Sequence, residues 1–222
     1  ATARAPTTPA TRHHILLLSR TEAMAYAGWV TNRLERIVAL CRQRVPGLRL
    51  VDKQQVWWMR WVGTALRPIV PEFADRYTTV IGDTVFLPRP PEALPQDQLA
   101  STLAHELVHQ LDQKEYRAWF YISYALGMPA GRTMRAYWER RAYAVDLMLA
   151  MERGGPNEVR RVANHLVEIF RGPAYFWMWA GRMSASEYLR PVVEDVLDGS
   201  IHRREPYRSI LAAWRGVDPE TL

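Results

Sequence analysis

Lysine is nearly absent from this chain: its 222 residues contain only Lys53 and Lys114, yet the formal net charge is +6. The positive charge is therefore almost all arginine, interleaved with Glu and Asp along the sequence, with no basic run longer than a pair such as Arg140-Arg141. A nucleic-acid groove binder gathers its cations into a patch, so a basic nucleic-acid-associated protein is only the third reading of this composition. Cysteine is scarcer still. The single Cys41 excludes an internal disulfide and a cysteine-based zinc site. Long apolar runs are missing too. No stretch approaches the roughly 20 residues that span a bilayer, and "ILLL" at 15–18 is too short for the core of a leader. None of these absences separates a cytoplasmic from a secreted protein. Aromatics, by contrast, are plentiful: nine Trp, ten Tyr and five Phe promise a large buried area. The length supports one sizeable core. We expect a flexible arm over 1–12, rich in Pro, Thr and Ala, followed by a single domain over 13–222.

The local signals are mainly helical. "HHILLL" reads as a short strand. Ser19 with Glu22 forms a capping box that opens a helix running to Pro46-Gly47, and Asp52 with Gln55 opens a second helix closed by Pro68. "WWMRW" at 57–61 reads as core with one snorkelling arginine. Residues 77–87, "YTTVIGDTVFL", predict a hairpin about Gly82-Asp83. Helices are then predicted from Pro95 to about Gln113, over "KEYRAWFYISYAL", from Arg132 to the glycines at 154 and 155, and over 157–170, 184–198 and 206–214. The fold class is α+β and predominantly helical, with a small antiparallel β element before the helix of greatest interest.

That helix carries "STLAHELVHQLDQ" at 101–113. Positions i and i+4 lie one above the other on a helix, so His105 and His109 can share one zinc ion. Glu106, rotated about 100° from His105, can reach a water in the open metal position and act as its general base. With six His and fourteen Glu in the chain, chance yields H-E-x-x-H about once in a hundred such sequences. The bland alternative is a surface helix with a chance match.

A third ligand must come from elsewhere, because the His-rich continuation fails: positions 112 and 115 are Asp112 and Glu115. Both are too close along the same helix to complete a site comfortably. Asp112 is expected to support the ligands or finish the helix. Glu139, in "YWERRAYAVD" thirty residues after His109, lies among Trp138, Ala142, Val145 and Leu149. A carboxylate near a buried face needs a partner, and zinc is sufficient. The competing reading pairs Glu139 with Arg135 or Arg140 at the surface.

H-E-x-x-H followed by a glutamate on a second helix resembles the gluzincin branch of zinc metallopeptidases, and "AHELVHQLD" resembles the motif of Mlc titration factor-like peptidases. The likeness covers about a fifth of the chain. It implies a zincin-like fold, one zinc per chain, His105, His109 and Glu139 as ligands, Glu106 as base, and a peptide or protein as substrate. Many members place an Asp four residues after the third ligand to orient a histidine. Here that position is Tyr143, and Asp146, a turn later, is the substitute. The resemblance also implies an open edge strand beside the metal, for which "DTVFLP" at 83–88 is the expected counterpart. Tyr175, Arg182 and Tyr188 are candidate oxyanion donors. "AYFWMW" at 174–179 reads as core before substrate pocket. His165 is expected to be a core histidine, and His13, His14 and His202 to be solvated. The leading expectation is a peptide-bond-hydrolysing zincin. The second is a non-catalytic module of the same fold that binds or senses.

Overall fold

The computed structural model describes residues 32–68, 72–125, 134–172 and 184–222. The expectations for the arm at 1–12, "HHILLL", the Ser19 box, His13, His14, "AYFWMW", Tyr175 and Arg182 lie outside these residues.

Helix α1 (Arg33–Arg44) begins at Asn32, whose side chain accepts from the Leu34 amide, and ends ahead of Pro46-Gly47. Strand β1 (Arg49–Asp52) follows. The Asp52/Gln55 pair caps only a 3₁₀ turn, Lys53–Gln55. Helix α2 (Trp57–Leu66) starts after it, without a side-chain cap. A short helix α3 (Phe73–Arg76) leads into the predicted hairpin of β2 (Thr79–Ile81) and β3 (Thr84–Leu87). Gly82 alone takes a positive φ, 55°, in the two-residue turn, as a type II′ turn requires of its first residue.

The small sheet corrects one expectation. Its order is β1-β3-β2, with β1 parallel and β2 antiparallel to β3. Within 83–88, Thr84–Leu87 is therefore the central strand, paired on both sides and buried, and β2 lies at an edge of the sheet. Strand β1 escaped the sequence reading because its four residues show no alternation. A parallel neighbour supplies its hydrogen bonds instead.

Helix α4 (Gln96–Tyr116) runs three residues further than predicted, to Arg117 with φ 51°. It is a core helix, not a surface one. Leu99, Leu103, Leu107 and Val108 are buried in it against α1, the hairpin and the following helices. Cys41 sits at this interface, its Sγ 3.7 Å from the Leu103 carbonyl, and burial pushes its thiol up to about 12. Helices α5 (Ala118–Ala125) and α6 (Met134–Arg171) come next. The latter is broken at Gly155, where φ is 65°, and Pro156 opens its second half, so the predicted stop and restart are both present. Helix α7 (Ala185–Leu197) carries the predicted Ser184/Glu187 capping box and packs on α6, and α8 (Tyr207–Arg215) packs on α1.

Two expectations about burial are overturned. Trp57 and Trp61 are 71% and 69% exposed, leaving Met59 as the buried residue of "WWMRW", because α2 offers the core a stripe too narrow for all three tryptophans. His165 is exposed on the outer side of α6, whereas His202 is half-buried. Among the described residues no helix is long and apolar enough to cross a membrane.

Candidate metal centre

Helix α4 buries an unusual set of polar residues: Glu106, His109, Gln110, Asp112 and Gln113 are each at most 7% exposed. Buried polar groups are costly unless paired, so their partners can be sought one by one. Asp112 accepts from Arg141 on α6, at 2.8 Å from one terminal nitrogen and 3.1 Å from Nε. Gln113 accepts from the Gly82 amide at 2.7 Å and donates to the Val80 carbonyl at 3.1 Å, and Gln110 donates to the Gly82 carbonyl at 3.1 Å. Tyr121 of α5 donates to Gln113 Oε1 at 2.8 Å. The two glutamines thus clamp the hairpin turn onto the helix.

What this pairing leaves over is His105, Glu106 and His109, which face Glu139 of α6. One candidate ligand atom from each of His105, His109 and Glu139 lies within 4.8 Å of the other two. His109 Nε2 stands 3.8 Å from Glu139 Oε2. Ligands bonded to zinc at about 2.0–2.1 Å in a tetrahedron stand roughly 3.4 Å apart, so a small closure would suit the ion. Glu139 Oε2, only 2% of its residue being exposed, has no hydrogen-bond partner, and neither does buried His109 Nδ1. An orphaned carboxylate oxygen between two imidazoles fits a cation. Oxygen and nitrogen donors in this number fit zinc.

The surroundings orient these groups. Glu139, Tyr143 and Asp146 fall at i, i+4 and i+7 on one face of α6. Asp146 lies 2.5 Å from His105 Nδ1, which reserves Nε2 for a ligand. Tyr143 sets its ring edgewise to His105, 5.0 Å between centroids. Tyr124 of α5 donates to Glu139 Oε1. Burial opposes charge on His105, but the Asp146 charge and hydrogen bond prevail and hold it up at about 9. Burial pushes Glu139 up, yet the nearby His109 imidazole, with Arg135 and His105, brings it down to about 2. Burial raises Glu106 above the usual carboxylate range, the two histidines opposing and the neighbouring carboxylates adding.

His105 and Glu106, with Tyr77 and Thr78, line two cavities, one of about 540 Å³ and one of about 430 Å³. The Tyr77-Thr78 stretch is pinned by buried Lys53, which donates to the Tyr77 carbonyl at 2.8 Å and to Thr79 Oγ1 at 3.0 Å.

The structure therefore brings His105, Glu106, His109, Glu139, Tyr143 and Asp146 together. Asp112 lies outside the cluster, held by Arg141, and Glu115 is exposed. Tyr188 is buried where α7 meets α6, 6.3 Å from the Phe170 ring and beneath the Arg140 guanidinium, and lines neither cavity. Its candidacy as oxyanion donor fails on position. Tyr124, Gln110, Gln113, Arg141 and Lys53 escaped the sequence reading. Only the glutamines gave a signal, as polar residues three apart on one face of the helix. Compared with models of known families, with curated proteins and with solved structures, the chain matches none.

Proposed function

We propose that the chain is a zinc-dependent metallopeptidase in which His105, His109 and Glu139 hold the metal and Glu106 is the general base. The observation that carries this reading is the convergence of three donors from α4 and α6 around an orphaned, buried carboxylate oxygen, with Glu106 opening into a cleft beside them. Zinc held there would supply Lewis acidity and bring the pKa of a coordinated water to about 7. Glu106 accepts a proton from the attacking water on its carboxylate and returns it to the departing amine. Asp146 fixes the His105 tautomer through Nδ1, and Tyr124 holds the Glu139 carboxylate through Oε1. Strand β2 offers its edge to an extended backbone. Gln113 already holds the Val80 carbonyl, so pairing would fall at Thr78, which precedes β2 and lines the same cavities as Glu106.

Metal analysis of the purified chain should find one zinc per chain, and none in His105→Ala. Glu106→Gln should retain the metal and lose hydrolysis of casein and of a quenched peptide library. A wild-type chain that binds no zinc, or a Glu106→Gln chain that turns over normally, overturns the assignment. Zinc without turnover in the wild type supports the binding or sensor module instead.

A further inference from the structure

We propose that Arg153 is a specificity residue, which receives a carboxylate of the polypeptide substrate near the bond that Glu106 addresses. The inference rests on the metallopeptidase reading and specifies its substrate.

Arg153 lines the cavity of about 540 Å³ together with Ser101, His105, Glu106 and Asp146. It lies on α6 just before the break at Gly155, two turns after Asp146. Its guanidinium donates to Ser101 Oγ, and Ser101 precedes His105 by one turn of α4, about 6 Å along the axis. An extended chain advances about 3.3 Å per residue. A substrate group about two residues from the bond at Glu106 therefore comes level with Arg153.

The local charges leave Arg153 as the surplus cation. Asp97 in the same cavity is held by Arg33 at 2.9 Å, and Glu152 by Arg215 at 2.8 Å. Glu158, within the electrostatic reach of Arg153, is paired with Arg161. The cavity's other arginine, Arg76, has Glu72 at 2.6 Å. Among the described residues no carboxylate lies within ion-pair distance of Arg153. Ser101 offers it only a neutral hydroxyl, whose own proton goes to the Asp97 carbonyl at 2.7 Å. Arg33 and Arg153 both meet the buried Trp214 ring, at 4.2 and 5.2 Å from its centroid, and only Arg33 has an acidic partner. The indole restrains Arg153 without neutralising it. Asp146, engaged by His105, stands about 10 Å from Arg153 along α6, so the two signs are kept apart within the cavity. Arg153 is exposed, and its fork of N–H donors matches a carboxylate. On a polypeptide that carboxylate is either an Asp or Glu side chain or the C-terminus.

The test uses the zinc-loaded Glu106→Gln chain, immobilised, and two random octapeptide libraries, one amidated and one with a free C-terminal carboxylate. Retained peptides are sequenced by mass spectrometry. Enrichment of Asp or Glu within the amidated library identifies a side chain as the source, and preference for the free-carboxylate library identifies the terminus. Arg153→Gln in the same background should remove the preference, and Arg153→Glu should turn it towards Lys and Arg. Replacing the selected carboxylate of one retained peptide by its amide should weaken its calorimetric Kd about fivefold, with no change in Arg153→Gln. Retention without a carboxylate preference, no retention from either library, or a preference that survives Arg153→Gln each overturn the proposal. Zinc content and casein hydrolysis of the wild type are scored separately. A wild type with neither overturns the peptidase assignment, and the Arg153 comparison, repeated without zinc, still decides the carboxylate.

Discussion

Asp146 is the residue whose removal best separates a designed site from a chance cluster, because it touches His105 only through Nδ1. Asp146→Ala should lower zinc affinity about 10- to 100-fold, the usual effect of removing a carboxylate behind a ligating histidine, as read by competition with a chromophoric chelator. An unchanged affinity would mean that His105 does not ligate. The candidate ligands were legible in the sequence because helical spacing is a local property: His105 and His109 had to share a face whatever surrounded them. Glu139 was legible because an apolar neighbourhood makes a carboxylate conspicuous. Tyr124 was not. Its hydroxyl reaches Glu139 only because α5 folds back against α6, and no short-range rule specifies that contact.

Between elements, the pairing of Asp112 with Arg141 ties α4 to α6 close to the ligands. Arg141→Met strands a fully buried carboxylate and should cost about 3 kcal/mol in chemical denaturation. Adding Asp112→Asn should recover part of that loss. Helix α2 calls for a contrasting experiment. Trp57→Gln should change stability by no more than about 0.5 kcal/mol, as exposed positions generally do, whereas Met59→Ala should cost about 2–5 kcal/mol. The sequence alone suggested core for "WWMRW" apart from its snorkelling arginine, since apolar content cannot tell which way a short helix turns. The same limit applies to the sheet. The turn chemistry of Gly82-Asp83 specified the hairpin, but β1 lies far from β3 in sequence, and its arrival made β2 the edge in place of the 83–88 strand.

At the scale of the molecule, the candidate ligands join two helices that the chain visits thirty residues apart. Zinc should therefore raise the melting temperature, by an amount equivalent to about 2.7 kcal/mol at a hundredfold excess over Kd. A chelator should reverse the rise, and Glu139→Ala should abolish it. A metal bound equally by the folded and unfolded chain would leave the transition where it was, and one bound only by the unfolded chain would lower it. The glutamine clamp on the hairpin has a different consequence. The amide of a turn residue such as Gly82 ordinarily trades its proton with water within moments, yet here it is held by Gln113 and Tyr121. Its deuterium exchange should be slow, and slower still with a peptide lying along β2. Gly82 thereby becomes a spectroscopic reporter, placed outside the reacting groups, of whether the cleft is filled.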